Sequence, residues 1–393
     1  MQGAGPLSLA ARRAFGRRAC QWPALSVLRL GEIEAPRPPG AGWSRVRPRL
    51  AGICGSDLAS LTGKSPTVLW PLVGFPSVPG HEVVADVVEP AEGSAFSAGD
   101  RVAVDPFLSC AARGIDACPA CERGEAALCV RAAEPAPGLE RGMMIGYHRD
   151  LPGGWAETMW AHESQMHAVP DGLDDRTAVM TEPLSVASHA LMQVDFADVR
   201  SVLVVGGGTI GLSCVVALSL LGAPRPIVAV RHGRQAEAVR ALGGEVLPHG
   251  DWARAGGART VRGWAGRPLQ LGGFDLVVDA VGSESVLARA AAAVRAGGTV
   301  VRVGDVGTLP AARRPDIWVP DVRLLQPFGY GREKRTGGHT FDFVLGAVAS
   351  MDSAPLASLV THTFPLDRYR DALAAALDHG RSGSIKVAFR PGA

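Results

Sequence analysis

The sequence lacks a strong excess of charge of either sign. Its 40 Lys and Arg residues nearly balance 38 Asp and Glu residues, which leaves a formal net charge of +2 over 393 residues. Acidic and basic residues are interspersed, so neither a nucleic-acid surface nor a charged tail is indicated. Hydrophobic residues make up 47% of the chain, which is enough to build the cores of two domains.

Long apolar segments are also lacking. Residues 1–19 contain several arginines but no continuous apolar core, so a secretory signal is not indicated. We interpret them as an N-terminal extension, with a mitochondrial-type presequence as the alternative. Residues 202–223 run for about twenty positions without a charge, the length of a membrane span, but three consecutive glycines favour a strand, a turn and a helix. We therefore expect a cytoplasmic protein without a membrane segment.

Cysteine is scarce outside one short stretch. Four of the seven cysteines lie within residues 110–129, which does not resemble the disulfide framework of a small secreted protein. A Cys-x2-Cys pair with two further thiols nearby suits a closed tetrahedral zinc site with four thiolate ligands. We predict a structural zinc site, with two disulfides or unrelated thiols as the alternative. Its ligands would be Cys110, Cys118, Cys121 and Cys129.

A second set of metal-binding side chains lies at the two ends of residues 54–82. The segment begins within ICGSD, which contains Cys54, and ends within PGHE, which contains His81 and Glu82. A thiolate, an imidazole and carboxylates are ligands that zinc accepts when the fold brings them together. We interpret the Pro-rich residues between the two ends as a loop.

Short alternating segments around these residues predict a β-rich domain with many turns. Apolar and polar residues alternate from about residue 25 to residue 50. A further strand is predicted at residues 83–88, and a turn followed by a strand at residues 99–104. Residues 178–191 are predicted to form a helical linker to a second domain.

From residue 201 the pattern changes to alternating strands and helices, which predicts a parallel sheet. A Val-rich run leads into GGGTIG and then into a helix, so that Gly206, Gly208 and Gly211 form a G-x-G-x-x-G motif that includes Ile210. Between a strand and a helix this motif indicates a dinucleotide site, because its glycines let a pyrophosphate approach the helix N-terminus. A glycine turn without a ligand is the alternative.

The rest of the pattern continues this alternation and then departs from it. We predict strands at residues 226–230, 274–279 and 298–304, with a helix at 285–295. After residue 320 the alternation ends. Helices are predicted at 341–351 and 369–377, and a closing strand at 385–389.

The residues after the second of these parallel strands bear on the choice of nicotinamide. An NAD site usually offers Asp or Glu to the ribose about twenty residues past the last glycine. This sequence instead has Arg231 and Arg234. Two basic side chains suit the 2′-phosphate of NADP(H), which we favour over NAD(H). Surface arginines without a ligand are the alternative.

Together these motifs resemble those of the medium-chain zinc-containing alcohol dehydrogenase family. The family's motifs follow one another from about residue 20 to the end: GICGSD, GHE, the cysteine cluster, GWAE, EPL, the glycine turn and GSIKV. CGSD and EPL are most similar to the sorbitol and threonine dehydrogenase group. The resemblance implies an α/β protein with a GroES-like β-rich catalytic domain at residues 20–180, completed by 327–393. A Rossmann domain with a doubly wound parallel sheet would occupy 181–326.

The resemblance also implies a catalytic zinc site. Cys54 and His81 would ligate the ion, and either Glu82 or Glu182 would complete the shell. The four clustered cysteines match the family's structural zinc site.

The resemblance also implies roles for three further residues. Asp57 would orient His81, as zinc-bound histidines usually require. Ser56 would hydrogen-bond the substrate hydroxyl and start its proton on the way out. Lys386 would contact the pyrophosphate of the cofactor.

The sequence departs from the family pattern at two positions. Ala59 stands where the proton relay often has a histidine, so proton release would use water or another group such as His148. The first cysteine of the structural cluster usually lies near Ile115, whereas here it is Cys110, on a longer loop.

The predicted function is reversible hydride transfer between a nicotinamide and a secondary alcohol, polyol or amino-alcohol, or the corresponding ketone. The partner is thus a small molecule, and a homodimer or homotetramer is expected. Two alternatives remain: an NADP(H)-dependent reductase of activated double bonds that uses no zinc, and a non-catalytic protein that binds zinc and nucleotide.

Overall fold

The structure is a computed structural model that describes residues 27–34, 36–65, 67–248, 250, 252–262, 264, 269–304 and 321–392. The chain divides into two compact units, Met1–Glu182 with Tyr330–Ala393 and Pro183–Gly329. The predicted N-terminal extension, residues 1–19, lies outside the described residues.

The strands and helices are numbered here in chain order. The strands are β1 (Trp43–Gly52), β2 (Val83–Glu89), β3 (Arg101–Val104), β4 (Met159–His162), β5 (Met166–Ala168), β6 (Val202–Val205), β7 (Ile227–Val230), β8 (Glu245–Pro248), β9 (Arg259–Val261), β10 (Leu269–Leu271), β11 (Phe274–Asp279), β12 (Val294–Arg302), β13 (Arg323–Leu325), β14 (Val360–Phe364) and β15 (Lys386–Phe389). The helices are α1 (Gly55–Leu61), α2 (Pro119–Glu122), α3 (Asp175–Ala178), α4 (Thr181–Met192), α5 (Thr209–Leu220), α6 (Gly233–Ala241), α7 (Trp252–Ala255), α8 (Glu284–Ala293), α9 (Thr340–Ala349), α10 (Ala354–Ala357), α11 (Tyr369–Leu377) and α12 (His379–Ser382).

The first unit is organised around β1, which is the longest strand of its sheet. β1 pairs antiparallel with β2, β4 and β15, and β15 pairs in parallel with β14. Alternate residues of β1 such as Val46 and Leu50 are buried, as a sheet with one face on a core requires. Because β14 and β15 come from the end of the chain, the last residues complete the sheet that the early residues begin.

The segment between Cys54 and His81 differs from its prediction. We expected a loop there, but the structure has the helix α1 and a 3-10 turn at Thr67–Leu72. Cys54 caps α1 in an extended conformation, and its amide donates a 2.9 Å hydrogen bond to Asp57 Oδ2. This reciprocal cap satisfies amides that would otherwise be unpaired at the helix start. The loop prediction was wrong because it gave the prolines more weight than this cap.

The second unit is built on a parallel sheet with the order β13-β12-β11-β6-β7-β8. Every described pair in this sheet is parallel. Counted from β6 as the first strand, the order is 3-2-1-4-5-6, which is the doubly wound nucleotide-binding pattern. The core contains Leu203, Phe274 and Val277, all of them buried. The predicted fold class, a β-rich unit and a doubly wound parallel sheet, is confirmed.

Several predicted elements occur with small shifts at their ends. The run from residue 202 is the strand β6, a glycine turn and the helix α5, as predicted. α11 has the predicted bounds, and β11 has too. The predicted helical linker is interrupted, because α3 ends at Ala178 and α4 begins at Thr181. Within the described part of the chain, no helix is both long and apolar enough to cross a membrane.

Candidate catalytic and metal sites

Cys54, His81 and Glu82 come together where β1 ends and β2 begins. The Gly52 amide donates a 2.8 Å hydrogen bond to the Glu82 carbonyl oxygen, which brings the two chain segments side by side. One ligand atom from each of the three side chains lies within 4.8 Å of the other two. His81 and Glu82 are buried, and Cys54 is half-buried. The donor set of thiolate, imidazole and carboxylate is one that zinc accepts.

Asp57 and Ser56 hold His81 from its two sides. Asp57 Oδ1 lies 3.4 Å from His81 Nδ1, and Ser56 Oγ lies 3.5 Å from Nε2. Burial alone would lower the pKa of His81, but the Asp57 carboxylate and then Cys54 outweigh it and raise the pKa well above its usual value. The imidazole thus lies among anionic groups and presents Nε2 on the side of Ser56, away from the carboxylate that orients it.

Tyr147 is a member of this site that the sequence reasoning missed. Its hydroxyl donates a 3.2 Å hydrogen bond to Asp57 Oδ1, and its ring lies 5.5 Å from the His81 ring between centroids. The Tyr147 hydroxyl also interacts with the side chains of Ser56 and Ser60. No sequence motif included Tyr147, because it lies in a loop 90 positions after Asp57.

Lys386 forms a buried ion pair that the sequence did not predict. Its ammonium is ion-paired with the Glu82 carboxylate and donates a 3.3 Å hydrogen bond to the Ile53 carbonyl oxygen. Only 2% of Lys386 is exposed. The predicted contact of Lys386 with the cofactor pyrophosphate stays a prediction, and the structure adds that its ammonium is paired with Glu82 within the first unit. Gly52 is required beside this pair, because a β-carbon there would overlap the Glu82 carboxylate.

Glu182 lies near Cys54, His81 and Glu82, but it is not one of the three residues whose ligand atoms lie within 4.8 Å of one another. It is in the first turn of α4 and is buried, and the Tyr330 hydroxyl donates a 3.1 Å hydrogen bond to its Oε1. Burial raises the pKa of Glu182 to about 7, although the charges of His81 and Lys386 act in the opposite direction. A buried carboxyl with a near-neutral pKa beside a cation site is typical of a functional group.

The four clustered cysteines form a second potential metal site. Their sulfur atoms all lie within 4.8 Å of one another, and Cys110 Sγ is 3.7 Å from Cys129 Sγ. All of the described cysteines are free thiols. Burial opposes ionisation, yet hydrogen bonds from the amides of Cys121 and Val130 lower the pKa of Cys118 to about 6. Cys110 joins the cluster despite its longer loop, and four sulfurs at this spacing fit a tetrahedral zinc ion.

Arg113 lies on that longer loop and is buried against the cysteines. Its guanidinium donates to the carbonyl oxygens of Glu134 at 3.1 Å and Arg131 at 3.3 Å. Burial lowers the pKa of Arg113, while Cys129, Cys110 and Cys121 act to raise it. A fixed positive charge here offsets part of the negative charge that four thiolates carry.

The glycine turn of the second unit follows β6 and leads into α5. Gly206 has a φ of +111°, and a β-carbon at Gly211 would overlap the Gly206 carbonyl oxygen. Gly208 is the N-cap of α5, and Ile210 is half-buried in its first turn. The motif therefore has the close strand-to-helix turn at which dinucleotide-binding proteins hold a phosphate.

Arg231 and Arg234 lie next to this turn. A β-carbon at Gly207 would lie 2.8 Å from Val230 Cγ1 and Gln235 Cβ, so the turn packs against the end of β7 and the start of α6. Arg231 directly follows β7, Arg234 lies in the first turn of α6, and both are exposed. Two cationic side chains thus flank the end of the strand where a ribose is expected.

His148 is not brought into the site. Its Nε2 is 2.9 Å from the Glu140 carbonyl oxygen, and its Nδ1 accepts a 3.1 Å hydrogen bond from the Asp150 amide. Both ring nitrogens are therefore engaged by the backbone, and burial lowers the pKa of His148. The proposal that His148 replaces the histidine absent at Ala59 is corrected, since this imidazole is tied up in a loop.

Two protein-family models and several known proteins match this chain. The family described as "Alcohol dehydrogenase GroES-like domain" matches residues 40–171, and the family "Zinc-binding dehydrogenase" matches residues 209–348. The chain is 29% identical to L-galactonate-5-dehydrogenase of Escherichia coli, over 72% of this chain and 74% of that protein. It is 26% identical to sorbitol dehydrogenase of Bacillus subtilis, over 88% and 89%.

A solved protein from Sinorhizobium meliloti 1021 with bound NADP is similar in fold. It superposes on this chain with a TM-score of 0.70 and 26% identity. The superposition covers 91% of this chain and 94% of the other.

Proposed function

Since the chain belongs to the zinc-type medium-chain alcohol dehydrogenase family, we propose that it transfers a hydride between a polyhydroxylated secondary alcohol and a nicotinamide. The main observation behind this proposal is that one ligand atom from each of Cys54, His81 and Glu82 lies within 4.8 Å of the other two. The relatives that support the substrate class are named as dehydrogenases of L-galactonate and sorbitol, both of which carry several hydroxyl groups.

The catalytic zinc would be held by Cys54, His81 and Glu82. When bound, zinc supplies a Lewis acid that stabilises negative charge on the substrate oxygen, and the nicotinamide accepts or donates the hydride. Asp57 orients His81, and Lys386 orients Glu82 through their ion pair. Of the two carboxylates that the sequence left open, Glu82 lies in the closest cluster, and this supports its assignment as the ligand.

Glu182 would act as a proton acceptor in the site. Its pKa of about 7 lets it change protonation state near neutral pH, which suits general acid–base work. Ser56 would hydrogen-bond the substrate hydroxyl. The Tyr147 hydroxyl, which interacts with Ser56 and Ser60, supports a route for the proton that does not need a histidine at Ala59.

The structural zinc would be held by Cys110, Cys118, Cys121 and Cys129. These residues come from one loop with little apolar surface of its own, so a bound ion would fix their mutual positions. Arg113 would neutralise part of the charge of the site.

NADP(H) is the proposed cofactor form. Arg231 and Arg234 support it, as does the solved relative that binds NADP. The test is a titration of the protein with NADPH and with NADH, followed by nicotinamide fluorescence. We expect tighter binding of NADPH and a loss of that preference in Arg231→Ala/Arg234→Ala. Arg240→Ala, at the other end of α6, is the matched control. Tighter NADH binding by the natural sequence would contradict the proposal.

The substrate class is tested with a panel of sugar alcohols, sugar acids, amino-alcohols and simple secondary alcohols, with their ketones in the reverse direction. We expect the highest kcat/KM for a substrate with several hydroxyl groups, and loss of activity when zinc is chelated. Activity towards activated double bonds that survives chelation would instead favour the zinc-independent reductase. We also propose a homodimer or homotetramer, which light scattering of the purified protein tests.

A further inference from the structure

A third group of potential metal ligands lies apart from the two sites above. Asp105 follows β3, His167 is in β5, and His339 is the N-cap of α9. One carboxylate oxygen and one nitrogen from each imidazole lie within 4.8 Å of one another. β3 and β5 are paired strands, so two of the three residues have fixed positions on one sheet.

His167 has a buried nitrogen that makes no hydrogen bond to any residue that the structure describes. Its Nδ1 lies 2.7 Å from Asp342 Oδ1, which makes Nδ1 the protonated nitrogen, whereas Nε2 is buried and makes no hydrogen bond among the described residues. Only 8% of His167 is exposed. Leaving a buried polar atom without a hydrogen-bond partner destabilises the folded chain. A histidine whose Nδ1–H is held by a carboxylate while Nε2 is free has the arrangement of a typical metal ligand.

His339 and Asp105 are the other two members of this group. His339 Nε2 lies 3.3 Å from Asp105 Oδ2, and the two imidazole rings are stacked with centroids 4.5 Å apart. Asp105 Oδ1 accepts a 2.9 Å hydrogen bond from the Phe107 amide, which orients the carboxylate. The rings of Tyr330 and Phe341 lie around His339.

The tautomer of His339 must change for it to bind an ion. Its Nδ1 now accepts a 3.2 Å hydrogen bond from the Phe341 amide, so the proton is on Nε2. Ligation through Nε2 would move that proton to Nδ1 and release this cap. Loss of such a cap is a small cost beside the free energy with which zinc binds in structural sites.

We propose that Asp105, His167 and His339 form a third metal site, which takes a divalent transition-metal ion of the zinc type. Nε2 of each histidine and a carboxylate oxygen of Asp105 are the ligands. Imidazole and carboxylate without thiolate suit Zn²⁺ and Co²⁺. Ligands of a tetrahedral zinc with bonds of about 2.1 Å are roughly 3.4 Å apart, so the three side chains must approach one another. The two stacked imidazole rings must also rotate, so that the in-plane lone pair of each Nε2 points at the ion. The bound ion ties the start of α9 to β3 and β5.

The test is a count of bound ions in the full-length protein after equilibrium dialysis against Zn²⁺, made on the natural sequence and on variants. His339→Asn keeps a preferred N-cap residue on α9 while removing the imidazole. Asp105→Asn is the second variant, and it keeps the oxygen that accepts from Phe107. His362→Asn is the matched control, because His362 is a partly buried histidine bonded to Thr361 outside the cluster. We expect His339→Asn and Asp105→Asn to bind one ion fewer per chain than the natural sequence and the control.

Replacement of Zn²⁺ by Co²⁺ gives a second readout that separates this site from the two thiolate sites. The ion that is lost in His339→Asn should have weak d–d bands without a sulfur-to-cobalt charge-transfer band, and the charge-transfer bands should stay unchanged. Equal ion counts in the natural sequence and both variants would overturn the proposal. So would a lost ion that carries a thiolate spectrum. Neither outcome depends on whether the protein is a dehydrogenase.

Discussion

The Tyr330 hydroxyl donates a 3.1 Å hydrogen bond to Glu182, which lies 148 positions earlier in the chain. Tyr330 and Glu182 stand at the two points where the first unit ends and resumes. The bond lowers the pKa of Glu182 against the stronger effect of burial, which raises it. Tyr330 therefore helps to decide the charge of the proposed proton acceptor.

Tyr330→Phe should shift the pH dependence of alcohol oxidation. Without the hydroxyl, the ionised form of Glu182 loses a stabilising donor, so its pKa rises above about 7. If Glu182 accepts a proton in its ionised form, the acid limb of the kcat/KM profile moves to higher pH. Tyr369→Phe is the control, since Tyr369 begins α11 in a different part of the unit. An acid limb that stays in place would remove Glu182 from the proton-accepting role.

The buried pair of Glu82 and Lys386 should show strong coupling. Lys386→Met leaves the Glu82 carboxylate buried without its cation, which typically costs about 3–5 kcal/mol of unfolding free energy. Adding Glu82→Gln should recover a large part of that loss, because no uncompensated charge remains. The free energies of unfolding of Lys386→Met and of Lys386→Met/Glu82→Gln are measured with urea in a Cys54→Ser background, so that binding of a catalytic zinc does not contribute. Additive effects of the two substitutions would show that the ion pair is not formed.

Asp275 should stabilise the second unit in a pH-dependent way. Burial opposes its ionisation, but the Arg295 ion pair and hydrogen bonds from Arg200 and Ser201 lower the pKa of Asp275 to about 2. The value in an unfolded chain is about 3.9. The carboxylate therefore contributes its full stability above about pH 5, and this contribution is lost as the pH falls towards 2.

Asp275→Asn should thus be less stable than the natural sequence by about 2 kcal/mol at pH 7, because hydrogen bonds to a charged acceptor are lost. The difference should shrink as the pH is lowered from about 5 to about 2. Urea unfolding followed by tryptophan fluorescence measures both values. Glu92→Gln, at an exposed position, is the control. A difference that is the same at pH 7 and pH 3 would mean that ionisation of Asp275 contributes nothing.

Local sequence patterns predicted the parallel sheet well. β6, the turn at Gly206 and α5 are adjacent in the chain, and their residues alone determine a strand, a positive φ and a helix. The cap of α1 was equally local, because Cys54 and Asp57 are three positions apart. It was missed because Cys at an N-cap is not a common signal.

Contacts between residues that are far apart in the sequence could not be predicted from local patterns. The resemblance identified Lys386 as a cofactor contact, but its distance from Glu82 depends on β15 joining β1, a pairing that no local pattern contains. Tyr330 and the group of Asp105, His167 and His339 were missed for the same reason. These residues lie on separate elements and make contact only when the end of the chain returns to the first unit.

We propose that Cys54, His81 and Glu82 hold the zinc on which turnover depends. The most direct measurement is the zinc content and turnover of Cys54→Ser beside the natural sequence, with Cys214→Ser as the control because Cys214 is buried inside α5. We expect Cys54→Ser to lose one zinc per chain and its turnover while it still binds the nicotinamide, and Cys214→Ser to keep both its zinc and its turnover. Unchanged turnover in Cys54→Ser, or loss of turnover with its zinc content intact, would show that Cys54 does not hold a catalytic zinc.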